Sequence, residues 1–187
     1  MNKIDEIFKD KYAQLDEQDF EVFNNLCDKA KKLIYIYNKN IDNSCCCFDY
    51  YCLSPEILTL SPIEQILEIA FYLYDFYVLN GFVGFFEERK LQKTLNIDNK
   101  KYVADFYFDF IVKDNECYKL KTPLIIECDG FDYHSNKKQM NYDYERETNL
   151  KLNGYDIIRF TGTQIYNKPF ECVEKIYNYL ANKEIGD

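Results

Sequence analysis

Apolar positions follow two different periods along the chain, and the change of period divides the sequence. In the first sixty residues they recur near helical spacing and are interrupted by acidic turns, which predicts a helical N-terminal extension over residues 1–60. From Ser61 onward the pattern is more regular. Ser61, Pro62 and Glu64 form a helix start with a capping box, and the apolar residues that follow predict an amphipathic helix to about Leu79.

Three segments rich in β-branched and aromatic residues come next and predict strands over residues 82–95, 101–112 and 118–128. The third contains an uninterrupted apolar run, residues 124–126, which is typical of a strand buried on both faces. A helix over residues 136–153, a strand over 155–160 and a helix over 164–180 bent near Pro169 complete the pattern. This order predicts one α/β domain over residues 61–187, a sandwich with a central mixed four-stranded sheet flanked by helices.

Composition is consistent with a globular protein, since 47% of the 187 residues are hydrophobic and 29% are charged. The chain has eight cysteines, but its first residues have no apolar signal core and no later segment has the length of a membrane span. We therefore expect a cytoplasmic protein with reduced thiols and no membrane partner. Cys45, Cys46, Cys47 and Cys52 form a cluster without the paired spacing of structural zinc sites, which favours buried or incidental thiols over zinc.

The formal net charge of −9 has the wrong sign for a protein that gains its affinity by neutralising nucleic-acid phosphates. This balance argues against a nucleic-acid partner, although net charge says little about any one face. A site that collects metal ions must itself concentrate carboxylates, so the acidic balance does not exclude metal chemistry.

The most informative carboxylates lie inside apolar segments. Asp105 interrupts the second predicted strand, and Glu127 and Asp129 end the most apolar strand of the chain. A carboxylate in such a place costs several kcal/mol to desolvate unless it is paired or bound to a cation. Period-two geometry puts Glu127 and Asp129 on one side of their strand, so two neighbouring strands can direct three carboxylates to one point. Oxygen ligands of this kind suit Mg²⁺ or Mn²⁺.

Each candidate residue also has an ordinary structural interpretation. Asp129 before Gly130 is typical of a turn, and Glu64 is typical of a capping box that satisfies its own helix. His134, the only histidine, follows the acidic pair closely, but a single histidine is more often structural than catalytic. Arg146 on a predicted helix would by default belong to a solvated face. No one of these residues decides the function.

Taken in order, the motifs resemble the PD-(D/E)XK superfamily, and within it the branch of small domains related to very-short-patch repair endonucleases. The series covers about residues 61 to 180 and leaves the N-terminal third unexplained. It comprises Ser61-Pro62-Ile63-Glu64, Ala104-Asp105-Phe106, Ile125-Ile126-Glu127-Cys128-Asp129-Gly130 with His134, Asp143 with Arg146, and Leu150 with the segment 154–162.

This resemblance implies a restriction-endonuclease-like fold and divalent-metal hydrolysis of phosphodiester bonds in nucleic acid, with DNA favoured over RNA. Asp105 and Glu127 correspond to the metal-binding acids, and the Cys128 carbonyl to a backbone ligand. Glu64 corresponds to the acidic residue of the preceding helix, which would contact a second ion. Mg²⁺ or Mn²⁺ would activate water and polarise the scissile phosphate.

The sequence departs from the family pattern at two positions. Ala104 replaces the usual proline, which matters little, and Asp129 stands where the active-site lysine is usual. The missing positive charge must then come from a second metal or from another residue. The candidates for this charge are His134, Lys137 and Lys138, and His134 would also transfer a proton. Arg146 would hold a phosphate or clamp its helix to the sheet, and we favour the clamp.

Two other interpretations stay open. The chain could be a catalytically inactive binding or interaction module that has kept a nuclease fold, because a fold does not fix a function. It could also be one subunit of a larger defence or repair complex, with the N-terminal helices docking a protein partner.

Overall fold

The computed structural model describes residues 17–39, 54–77, 89–113, 116–130 and 137–183. The chain divides into two compact units, Met1–Leu73 and Tyr74–Asp187. The domain boundary expected at residue 61 stays a prediction. The Cys45–Cys52 cluster lies outside the described residues.

The first unit is helical in its described part. It contains helices α1 (Glu17–Asn25) and α2 (Asp28–Lys39), a 3₁₀ turn (Pro55–Thr59) and most of α3 (Pro62–Tyr77). The buried amide of Gln65 connects these elements, because it accepts a hydrogen bond from the Cys27 N–H at 2.9 Å and donates one to the Leu60 carbonyl at 3.2 Å. None of the helices in the described ranges combines the length and apolar content needed to cross a membrane.

The second unit is built on a four-stranded mixed sheet of order β1-β2-β3-β4. Its strands are β1 (Arg89–Ile97), β2 (Lys100–Lys113), β3 (Glu116–Asp129) and β4 (Asp156–Thr161). β2 is antiparallel to both β1 and β3, whereas β4 runs parallel to β3 after helix α4 (Lys137–Leu152). Helices α5 (Gly162–Asn167) and α6 (Pro169–Ala181) follow. The predicted α/β sandwich with a mixed four-stranded sheet is confirmed.

Two element boundaries differ from the sequence-based prediction. The first described strand, Arg89–Ile97, ends two residues beyond the predicted end at residue 95, and residues 82–88 of the predicted strand lie outside the described ranges. The last predicted helix is two helices, because Pro169 starts α6 instead of bending a continuous one. A proline lacks the N–H that an inner helical turn needs, but fits the first turn of a new helix.

Both faces of the central strands are covered. Leu124, Ile125 and Ile126 are consecutive in β3 and all fully buried, although successive side chains point to opposite faces of a sheet. On one face, Ile125 and Tyr107 share a core cluster with Leu150 of α4. Helix α4 therefore covers this face of the sheet, beside the acidic end of β3.

Candidate metal centre

The antiparallel pairing of β2 with β3 brings the predicted acids together. Phe106 pairs with Ile126, which sets Asp105 beside Glu127 one step further along the ladder. The backbone N–H of Cys128 donates a hydrogen bond of 2.7 Å to Oδ2 of Asp105. The Asp105 carboxylate therefore lies against the peptide group that joins Glu127 to Cys128.

The parallel pairing of β3 with β4 adds a third strand to this group. Glu127 pairs with Arg159, and Asp129 pairs with Thr161. Because side chains alternate along a strand, Ile125, Glu127 and Asp129 share the face that packs on α4. Glu127 is only 6% exposed, whereas Asp129 is half-buried. Exposure therefore increases along β3, from the buried Ile125 and Glu127 to the half-buried Asp129 at the end of the strand.

Arg146 of α4 forms a two-point ion pair with Glu127. Its two terminal nitrogens donate to the two carboxylate oxygens of Glu127, each at 2.7 Å, and one of them also donates to the Val103 carbonyl at 2.9 Å. A planar guanidinium on a carboxylate in this two-point arrangement is strong and geometrically specific. Arg146 therefore connects α4 to both β2 and β3, as the clamp interpretation requires.

Arg159 supplies a second positive charge, to which the sequence analysis assigned no role. Its Nη2 atom lies 3.7 Å from Oδ1 of Asp129, and its Nη1 atom lies 3.8 Å from Oε2 of Glu147 on α4. A usable signal was present, because Arg159 stands in the short apolar strand β4 just as Asp105 stands in β2. Its pairing with Glu127 across the parallel ladder could not be read without the strand order.

Burial disfavours the charged form of both β3 carboxylates. The pKa of Glu127 is above its ordinary value, because the effect of burial exceeds the opposing effect of Arg146. The pKa of Asp129 is also raised, mainly by burial, with Arg159 lowering it and the nearby Asp143 raising it further. A raised carboxyl pKa means that the charged form lacks stabilisation, which an additional cation would provide.

An open cleft of about 370 Å³ gives access to these groups. Glu127, Asp129 and Arg146 lie on its wall, and Lys101, Val103 and Tyr142 also line it. Tyr142 is 57% exposed and Val103 38%. Glu127 and Asp129 are therefore reachable from solvent through a cleft that basic, acidic and apolar residues line together.

The other predicted site residues are placed unevenly. Glu64 belongs to the first unit, where its carboxylate accepts a hydrogen bond from the Ser61 N–H at 2.9 Å in the predicted capping box. His134 lies outside the described residues. Lys137 and Lys138 begin α4, but their side chains also lie outside what is described. The functional roles of these four residues stay predictions.

The donor chemistry of the centre fits a hard divalent cation. Asp105, Glu127 and Asp129 provide carboxylate oxygens and Cys128 a backbone carbonyl, the ligand types that Mg²⁺ and Mn²⁺ prefer. In the arrangement described, both oxygens of Glu127 bind Arg146. Within the described ranges, no three His, Cys, Asp or Glu side chains lie close enough to hold a metal together.

Comparison with known proteins identifies this arrangement. The model of REase_MTES_1575, a restriction-endonuclease-like family, matches residues 88–180, which include all four strands and the acids of β2 and β3. The chain belongs to this family. An uncharacterized protein of Haemophilus influenzae is 30% identical over 103 residues, which cover 51% of this chain and 78% of that protein. No solved structure matches the chain.

Membership of the REase_MTES_1575 family confirms the predicted PD-(D/E)XK-like domain. The family match begins at the start of β1 and ends in α6, so it coincides with the described sheet and its helices. It indicates a nuclease fold and, in general terms, nucleic-acid chemistry with divalent metals. Family membership alone does not determine the activity, the metal or the substrate of this chain.

Proposed function

We propose that the chain is a divalent-metal-dependent endonuclease that hydrolyses phosphodiester bonds of DNA at the acids of β2 and β3. The observation that carries the proposal is the 2.7 Å hydrogen bond from the Cys128 N–H to Asp105. It ties the Asp105 carboxylate to the peptide between Glu127 and Asp129, which line a cleft open to solvent in a family with a nuclease fold.

In this proposal Asp105, Glu127 and the Cys128 carbonyl hold Mg²⁺ or Mn²⁺, and Asp129 assists them. The bound ion would supply positive charge to the scissile phosphate and lower the pKa of a water molecule. Glu127 must then exchange at least one oxygen from Arg146 to the ion, since Arg146 binds both. Lys137 and Lys138 contact the nucleic acid.

His134 transfers the proton in this scheme. A group of this kind acts mainly in the transition state, so His134→Ala should lower the cleavage rate by about 10² and leave Mn²⁺ affinity near the wild-type value. A purely structural histidine would instead lower the melting temperature with little change in rate per folded molecule. Equal cleavage by wild type and His134→Ala would remove the role without affecting the metal-binding acids.

The central experiment combines cleavage with calorimetry. Wild type should nick supercoiled plasmid in Mn²⁺ or Mg²⁺ and not in EDTA, and Asp105→Asn and Glu127→Gln should lose both cleavage and most of the heat of Mn²⁺ binding. Asp109→Asn is the matched control. Asp109 lies four residues from Asp105 on the same strand, but its carboxylate binds Lys90 at 2.6 Å. Unchanged Mn²⁺ binding in both site variants would refute the metal site.

A second candidate function is a nuclease-fold binding module without hydrolytic activity. The observation in its favour is the two-point pairing of Arg146 with Glu127, which gives both carboxylate oxygens a hydrogen-bond partner without a metal. The same experiment separates the two functions. A binding module would retain nucleic-acid affinity, bind Mn²⁺ weakly or not at all, and cleave nothing under any metal.

A further inference from the structure

The hairpin of β1 and β2 carries a local positive charge in an acidic protein. Residues 89–101 contain five basic residues and one acidic residue, whereas the whole chain has a formal net charge of −9. Two of the basic side chains have acidic partners, since Lys90 binds Asp109 at 2.6 Å and Arg89 lies 4.0 Å from Asp75. The remaining three are Lys93, Lys100 and Lys101.

These three lysines are available for a partner. Each is exposed, and none of their side chains forms a hydrogen bond or ion pair with the part of the chain that the structure describes. Lys101 also lines the cleft that contains Glu127 and Asp129. A polyanion held by the hairpin would therefore lie directly beside the acids of the candidate metal centre.

The shape of the hairpin favours a rigid contact. Asp98 and Asn99 have φ values of 49° and 61°, and Ile97 pairs with Lys100 across them. Two successive residues in the left-handed region make the tight two-residue turn that matches the twist of its strands. The result is a two-stranded ribbon with a short end, the shape that the major groove of a DNA duplex admits.

The spacing of the lysines also fits a duplex. Lys93 pairs with Ala104, four residues before the rung of Ile97 and Lys100, so the charges extend over about 13 Å at 3.3 Å per residue. A duplex of that length presents about eight phosphate charges. Lys93 and Lys100 lie on one face of the ribbon and Lys101 on the other, so a duplex that takes the ribbon into its groove meets lysines on both faces and releases counterions on binding.

We propose that the β1–β2 hairpin is a DNA-docking element that binds the phosphates of double-stranded DNA through Lys93, Lys100 and Lys101. This inference rests on the proposed function, because it supplies the substrate contact for the same cleft. It also accounts for nucleic-acid binding by a chain of net charge −9, since the positive charge is concentrated where the substrate must lie.

The test measures binding without cleavage. Fluorescence anisotropy with a labelled 20-base-pair duplex in EDTA, over a series of salt concentrations, gives the affinity and its salt dependence. The triple variant Lys93→Gln, Lys100→Gln, Lys101→Gln should bind at least about tenfold more weakly at low salt, and the slope of log affinity against log salt should fall by about 2 to 3. Circular dichroism and melting temperature should match wild type, since all three side chains are exposed.

Lys119→Gln with Lys175→Gln is the matched control. Both residues are exposed, and Lys119 pairs with Phe110 toward the end of β2 opposite the hairpin turn. This variant has nearly the same change of charge and should keep the affinity and slope of wild type. An equal loss in the control would show that only net charge matters and would overturn the proposal.

Other outcomes are equally decisive. Wild-type affinity in the folded triple variant, or no binding of duplex by wild type at low salt, would overturn the docking role. Tighter binding of single-stranded DNA or RNA with the same dependence on the lysines would overturn the commitment to duplex. Hydrolysis is scored separately in Mn²⁺. Lysine-dependent binding without cleavage would refute the proposed nuclease activity and support the docking role of the hairpin. Cleavage that the triple variant leaves unaffected would support the nuclease activity and refute the docking role.

Discussion

Replacing Arg146 by Met tests whether the guanidinium is the internal counterion of the candidate metal centre. Methionine keeps much of the unbranched side chain and removes the charge. Glu127 has a side chain only 8% exposed and Arg146 one 18% exposed, so the variant leaves a buried carboxylate without its main partner. Breaking a buried pair from one side costs about 3 kcal/mol or more. For a chain of this size, that loss lowers the melting temperature by roughly 6 to 12 °C.

The metal dependence of this loss makes the test specific. Mn²⁺ would supply the positive charge that Arg146 supplied, so the deficit of Arg146→Met should be large in EDTA and smaller in Mn²⁺. A ligand present at about 100 times its Kd stabilises the folded state by about 2.7 kcal/mol, which sets the scale of the recovery. Urea unfolding of wild type and variant, each with EDTA or Mn²⁺, measures both quantities.

Two further variants complete this test. Lys151→Met is the matched control, because Lys151 binds Glu147 at 2.6 Å on the same helix but with a side chain 57% exposed. Exposed pairs of this kind contribute less than about 1 kcal/mol, so its loss should be small. The double variant Arg146→Met, Glu127→Gln should recover most of the stability that Arg146→Met loses. A loss below about 1 kcal/mol in EDTA, or simple additivity in the double variant, would refute the counterion role.

Two other predictions concern backbone and thiols. Gly154 has φ of 81° at the end of α4, so Gly154→Ala should cost about 1 to 2 kcal/mol in urea unfolding, whereas Gly130→Ala, with open space around its Cβ position, should cost less than about 0.5 kcal/mol. Equal losses would contradict the left-handed requirement. Cys172 is buried and its pKa is raised to about 11, so a thiol reagent at neutral pH should modify exposed Cys117 well before Cys172 when followed by peptide mass spectrometry. Simultaneous modification of both thiols in the folded protein would disprove it.

The sequence predicted most of the second unit because its strands bury both faces or alternate strongly. The run 124–126 identified β3, and Asp105 stood out against the apolar residues around it. β1 was harder to locate. Only Leu95 and Ile97 are buried in it, and an edge strand with most of its side chains partly or fully exposed gives a weak pattern.

The arginines of the site could not be assigned in the same way. Arg146 acts through Glu127 and Val103, which are distant in sequence and meet it only after α4 packs on the sheet. Helix α4 is polar around most of its circumference, so its sequence does not indicate which face contacts the strands. Local pattern thus identifies the acids, whereas their neutralisation is a property of the tertiary arrangement.

The order of contacts along the chain has a consequence for folding kinetics. The Arg146–Glu127 ion pair spans 19 residues and the hydrogen bond from Cys128 to Asp105 spans 23, whereas Arg146 reaches Val103 over 43 residues. Shorter loops cost less entropy to close, so the first two contacts should form before the third. The Glu127 carboxylate then meets its guanidinium early in folding. Added salt screens that attraction and should therefore slow refolding, so we expect the folding barrier to depend on ionic strength.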